Sequence, residues 1–170
     1  MIRIHTINFG DLDIAEDTII TFKEGLPGFS QLHRFVVLDI EELKPFNCLQ
    51  AIPESSDDPP IALYLINPFM VDPGYEFHLT DSDMADINSG SSAGLTVYVV
   101  ATIPESPQDA TLNLMAPVVI NERDRRGKQV IMHDSKYSVR YPLLGDTESK
   151  TAHLGKSKEL SREQQNSESC

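Results

Sequence analysis

Apolar residues along this chain fall in short runs that either alternate with polar neighbours or stand as compact blocks, a pattern of strands rather than helices. The fullest case spans residues 110–132, where two apolar arms, 111–120 and 128–132, flank a polar turn at 121–127. That arrangement predicts a β-hairpin. Val118, Val119 and Ile120 are branched at Cβ and suit a pleated surface. Pro117 has no amide hydrogen to give a ladder and marks an edge or a bulge. Gly127 is expected to close the turn with a positive φ. Because so apolar an arm needs cover, this hairpin is expected to be the spine of a β core.

From the N-terminus, Ile2 and Ile4 alternate with Arg3 and His5, and Leu12 and Ile14 resume the pattern, predicting a first hairpin with Gly10 and Asp11 in its turn. Ile19, Ile20 and Phe22 form a third short strand. It runs into residues 24–29, Glu-Gly-Leu-Pro-Gly-Phe, where two glycines and a proline exclude regular structure. Leu26 and Phe29 in that loop either plug the end of the core or face a partner. The block at residues 35–38 predicts a strand covered on both faces, and 46–52 a weaker strand. Residues 54–60 are acidic and proline-rich and predict a surface loop.

Apolar residues resume at 61–66, followed by an exposed stretch with Phe69, Met70 and Val71. Tyr75, Phe77 and Leu79 alternate with Glu76 and His78, predicting a strand with one wet face. Thr80 is placed to cap a short helix reaching Ile87 by accepting from the amide of Asp83. Residues 88–94 read as a linker, 95–103 as a central strand, and 137–141 as a last short strand. Beyond residue 144 the chain turns polar and predicts a disordered tail, 145–170, within which 157–165 has the makings of a partner-induced helix. The fold class expected is mainly β: one small antiparallel barrel-like domain over residues 1–144, with one or two short helices and the tail.

The 170 residues include 26 acidic side chains against 14 lysines and arginines, a formal charge of −12. Of these, 21 acidic and 10 basic residues precede residue 145, so the acidity belongs to the expected folded body. Such a field repels polyanions, which argues against direct nucleic-acid binding, and draws in basic proteins. No stretch approaches the length of a membrane span and no secretory leader opens the chain, so a cytoplasmic protein is expected. Cys48 and Cys170 make no disulfide framework.

Catalytic chemistry finds little support. Gly90-Ser91-Ser92-Ala93-Gly94 has the spacing of a hydrolase nucleophile elbow, but the helix and strand around it are in the wrong order. The five histidines show no metal-ligand spacing, the paired carboxylates fall in open loops, and no phosphate-binding loop is present. No cofactor or metal is expected. Arg123, Arg125, Arg126 and Lys128 form the basic cluster, read as a solvated hairpin tip or as a small carboxylate contact. The apolar anchors and carboxylates most suited to partner contact are Glu24, Leu26, Pro27, Phe29, Asp57, Asp58, Phe69 and Tyr75.

Several of these stretches occur together in one known family. Phe22, the run Glu24-Gly25-Leu26-Pro27-Gly28-Phe29, Pro68-Phe69, Tyr75-Glu76-Phe77, Leu112-Asn113-Leu114, Ala116-Pro117, Gly127-Lys128-Gln129-Val130, Tyr137, Arg140 and Pro142-Leu143 resemble the flagellar assembly factor FliW family over residues 3–143. Ala51 and Tyr141 depart from its pattern, where serine and histidine are common, and the tail lies outside it. The resemblance implies a barrel-like β domain without enzymatic activity. It also implies two mutually exclusive partners in the cytoplasm: flagellin, and the RNA-binding regulator CsrA, whose block on flagellin translation the free protein relieves. A general chaperone for exported proteins, or a small-molecule enzyme on the same architecture, are the alternatives.

Overall fold

The β-branched and aromatic blocks pair in register, and in the computed structural model they close on themselves. The structure describes residues 1–91 and 93–144; Ser92 of the elbow-like run and the tail with its helix segment lie outside the described residues. Seven strands make the barrel wall: β3 (Ile20–Phe22), β4 (Arg34–Leu38), β5 (Asn47–Ala51), β6 (Ala62–Ile66), β7 (Thr96–Thr102), β9 (Val118–Asn121) and β10 (Arg126–Gln129). Neighbours from β3 to β7 are antiparallel, as are β7 with β9 and β9 with β10. Closure comes from β10 lying parallel to β3, with Arg126 opposite Thr21 and Gly127 opposite Phe22. This one pair departs from the all-antiparallel expectation.

Alternation along each wall strand separates an inner core from two outer ones. Phe22, Phe35, Leu49, Leu65, Val118 and Ile120 fill the interior, where the Phe22 and Phe35 rings meet edge to face at 4.9 Å. On the outside of β4 and β5, Val36, Leu38 and Cys48 are covered by a hairpin, β1 (Ile2–Thr6) and β2 (Gly10–Ile14), through Ile4 and Ile14. The strand at 35–38 is therefore buried on both faces, as its unbroken apolar run implies. Burial pushes the Cys48 thiol up to about 11, which keeps it protonated and inert. On the far flank, Val97, Val99 and Val119 are covered by Tyr75, Ile87, Leu114, Val130 and Met132 from the intervening connections.

The helix stands where its cap predicts it. α1 (Asp81–Asp86) begins behind Thr80, whose hydroxyl accepts from the amide of Asp83 while the Asp83 carboxylate accepts from the amide of Thr80, a reciprocal capping box. β7 is central, bonded to β6 on one edge and to β8 (Thr111–Leu112) and β9 on the other.

Other expectations are corrected. The arm at 111–120 is not one strand: Leu112 faces Ala101 but Val118 faces Tyr98, so three extra residues bulge out before Pro117, a bulge of the kind its missing amide hydrogen favours. Gly127 lies inside β10 rather than in the turn, and the positive φ falls on Arg125 at 54°. The first hairpin turns at residues 7–9, leaving Gly10 and Asp11 in β2, with Gly10 at φ +70°. Residues 75–79 alternate in burial but join no ladder, because Tyr75 and Phe77 pack onto the flank as an extended strap. The last strand is β11 (Tyr141–Pro142), paired with β8, rather than 137–141.

Candidate functional site

Strand direction sorts the candidate residues between the two ends of the barrel. Ile20 lies opposite Phe35, and Phe35 opposite Ala51, so the loops 23–33 and 52–61 leave the wall at the same end. The connection after β7 also leaves there, since Ala101 pairs with Tyr64 near the start of β6. The turn at Pro68–Met70 follows the last residue of β6 and lies at the opposite end. The sequence-derived candidates therefore divide into two surfaces rather than one: Glu24, Leu26, Pro27, Phe29, Asp57 and Asp58 at the first end, and Phe69 at the second, with Tyr75 behind it.

At the first end, loop 23–33 is held in one shape. The amide of Gly25 donates to the carbonyl of Phe22, Leu26 and Phe29 exchange backbone hydrogen bonds, and Leu32 N–H donates to Phe29. Gly25 sits at φ +67°, and a β-carbon there would lie 2.7 Å from the Phe29 carbonyl oxygen, so only glycine fits. Leu26 is buried in the interior core and Phe29 is half-buried against it, so Leu26 is the plug; Glu24 and Pro27 are exposed. In the neighbouring loop Asp58 Oδ2 accepts from the amides of Glu54 and Ser55, which makes it the organiser of the turn, and Asp57 points to solvent. Glu24, Glu54, Asp57, Glu105 and Asp109 all belong to this end, and among the described residues none of them has an ion-pair partner.

At the second end, Asn67 caps a single 3-10 turn by accepting from the Phe69 amide, with Pro68 buried below. Phe69 is 39% exposed and Met70 62%. The Phe69 ring stands edge-on to Tyr75 at 5.8 Å, and Tyr75 is tilted against Tyr137 at 4.7 Å. Tyr75 itself is 4% exposed and its hydroxyl donates to the Leu114 carbonyl at 2.7 Å, so it supports Phe69 from within rather than meeting a partner. Burial, with Tyr137 adding to it, pushes its phenol far above the ordinary range.

Three members of the basic cluster are paired within the molecule, while Arg126 is exposed and has no ion pair among the described residues. Lys128 reaches from β10 to Asp83 Oδ1 at 2.9 Å and Asp86 Oδ2 at 2.6 Å on α1, and Lys23 adds a longer contact to Asp86. Arg123 pairs with Asp124 and Arg125 with Glu122. Burial opposes ionisation of Asp83, yet the Lys128 ammonium and the Thr80 amide hold its carboxyl below the usual range. The Lys128 hydrogen bond does the same for Asp86. Asn121 Nδ2 donates to the carbonyls of Ile87 and Asn88, so the same hairpin also ties down the far end of the helix. Sequence reading missed this latch; the signal available was the spacing of Asp83 and Asp86, which puts two carboxylates on one helix face.

Nothing in this geometry resembles a reaction centre. Among the described residues no group of three or more histidine, cysteine or acidic side chains converges to hold a metal, and no helix is long and apolar enough to cross a membrane. What the surface offers is one barrel end with carboxylates that have no ion-pair partner among the described residues, and an opposite end with exposed Phe69 and Met70.

Comparison with known proteins agrees. The family model described as FliW protein matches residues 3–143. The chain is 35% identical to the flagellar assembly factor FliW of Caldanaerobacter subterraneus subsp. tengcongensis, over 89% of this chain and 99% of that protein. It is 33% identical to the flagellar assembly factor FliW of Bacillus subtilis, over 85% and 98%. A crystal structure of the flagellar assembly factor FliW superposes with a TM-score of 0.76 at 34% identity, covering 85% of this chain and 99% of that one. With the motif loops, the barrel and the match all falling on the same residues, the chain belongs to the FliW family of flagellar assembly factors.

Proposed function

We propose that this protein binds flagellin in the cytoplasm and, when free of it, binds and antagonises the RNA-binding translational regulator CsrA, which relieves repression of flagellin translation. The two partners exclude one another, so the amount of unexported flagellin sets the rate at which more is made. The observation that carries this reading is the first barrel end, which holds a loop of fixed shape and five carboxylates, Glu24, Glu54, Asp57, Glu105 and Asp109, without ion-pair partners among the described residues. A face of that sign speeds encounter with a basic protein and repels the phosphates that an RNA-binding protein would otherwise hold. The same charge argues against nucleic acid as a direct partner.

As a flagellar assembly factor, the protein is not an enzyme. Exposed Phe69 and Met70 favour one other reading, a general chaperone that holds several exported proteins through apolar contacts. Mixing the purified protein with CsrA, its RNA and flagellin in all combinations separates the two. The switch requires that CsrA release RNA when the protein is added and recover it when flagellin follows. Capture of CsrA with no loss of bound RNA would overturn the antagonism.

A further inference from the structure

The hairpin of β1 and β2 is a sheet of its own, and among the described residues neither strand pairs with the wall. Every hydrogen bond and ion pair it makes among those residues closes within it. Arg3 pairs with Asp13 at 2.8 Å and His5 with Asp11 at 2.7 Å. The Thr6 hydroxyl donates to the carbonyl of Gly10 and accepts from the amide of Phe9. What joins the hairpin to the barrel is apolar contact, through Ile4 and Ile14 on Val36, Leu38, Cys48 and Ile52. The covalent link is a single 3-10 turn at Glu16–Thr18, whose amides bond back to Ala15 and Glu16. The hairpin is therefore a self-contained unit on a short tether.

One polar side chain lies beneath it. Gln50 stands opposite Val36 on one side and Ala62 on the other, with Cys48 and Ile52 two positions away along the chain. Its side chain consequently shares the outer face that the hairpin covers. Gln50 is 0% exposed. Its Nε2 donates to the carbonyls of Ala51 and Ile61, but its Oε1 is buried with no donor among the described residues. An acceptor removed from water and given no partner opposes the closed arrangement. Apolar burial holds the hairpin down and Gln50 works against it.

We infer that the β1–β2 hairpin is a flap, which lifts about residues 15–19 while the barrel stays closed and bares the outer face of β4 and β5. The wall does not need it, since the circle is completed by the pair β3 with β10 and no hairpin residue enters the ladder. Lifting lets water reach Gln50 Oε1, which offsets part of the apolar area exposed. The flap also changes what this side of the molecule presents. Closed, it shows the charged side chains of Arg3, His5, Asp11 and Asp13, all exposed. Open, it shows an apolar face around a single hydrogen-bond acceptor. Cys48, 1% exposed beneath the closed flap, is reachable in the open form.

The test follows labelling of Cys48 by a soluble thiol reagent in the full-length chain carrying Cys170→Ser, so that one sulfur reports. Amide exchange in β7, at the centre of the wall, reports opening of the barrel in the same buffer. Cys48 is expected to become accessible at least about tenfold more often than the β7 amides, with a weaker dependence on urea because less surface is exposed. Ile4→Ala loosens the cover and is expected to speed labelling about tenfold or more. Gln50→Met keeps the length of the side chain, removes the orphaned acceptor, and is expected to slow labelling about fivefold. Labelling that keeps pace with β7 exchange, at the same urea dependence, overturns the flap, because hairpin and barrel would then open as one. Labelling of Gln50→Met as fast as that of the parent overturns the part given to Gln50.

Discussion

A β-carbon on Gly127 would lie 2.6 Å from Cζ of Phe22 and 2.7 Å from its Cε1. Glycine at this point of β10 is what lets the parallel pair with β3 close the wall, because the Phe22 ring occupies the space that any side chain would take. Phe22 is fully buried and in contact with Phe35, so it has no easy way to give. Gly127→Ala is therefore expected to cost about 1–3 kcal/mol, the range of overpacking in a dense core. Urea unfolding with an unchanged m-value is the measurement; a variant as stable as the parent would mean that the wall accommodates a methyl group at its seam.

Lys128→Met removes the ammonium from two carboxylates that are 14% and 10% exposed. Leaving Asp83 without an ion-pair partner and Asp86 with only the longer contact to Lys23 is expected to cost about 2–4 kcal/mol at neutral pH. The sign with pH follows from the folded state holding both carboxyls below 3.8. Their contribution to stability is complete above that value and is lost as pH falls through the lower folded values. The gap between parent and variant is thus expected to narrow in acid, and a gap that is constant from pH 7 to pH 3 would contradict the latch.

The two large side chains of loop 23–33 should behave differently. Leu26→Ala empties a buried site in the interior core and is expected to cost about 3 kcal/mol. Phe29→Ala removes a half-buried ring and is expected to cost about 1–2 kcal/mol. Thermal unfolding compares them, and equal losses would make Phe29 as much a part of the core as Leu26. A CsrA or flagellin affinity that drops with Phe29→Ala beyond its stability effect would assign the ring to contact.

Reversing charge at Glu54 and Asp57 tests the acidic face without disturbing its scaffold, since Asp58, which holds the loop through two backbone amides, is left alone. Glu54→Lys with Asp57→Lys is expected to slow CsrA association several-fold at low salt and to flatten its dependence on ionic strength. Stopped-flow rates over a salt series measure both. Identical rates and slopes in parent and variant would remove this loop from the encounter.

Much of the fold was legible because strand and helix chemistry here is local. Thr80 and Asp83 cap each other as their types and spacing imply, and the unbroken apolar run at 35–38 announced a strand with cover on both sides. The errors came where tertiary contacts decide. Residues 75–79 have the alternation of a strand, but β6 and β7 already own the ladder, so Tyr75 and Phe77 pack without pairing. Gly127 looks like turn chemistry until Phe22 is seen beneath it. The exposure of the candidate residues was harder still. Phe69 and Tyr75 are near neighbours in sequence, yet one is exposed and the other buried, and the position of the turn that carries Phe69 depends on where β6 ends relative to β7. No local pattern encodes that offset.

The seam between β3 and β10 joins segments separated by more than half of the chain. During synthesis every other wall strand emerges before the residue that completes the circle, so a polypeptide still on the ribosome presents bare edges until Arg126–Gln129 clears the exit. A truncated product lacking that strand would keep those edges permanently, and would be prone to stick to copies of itself.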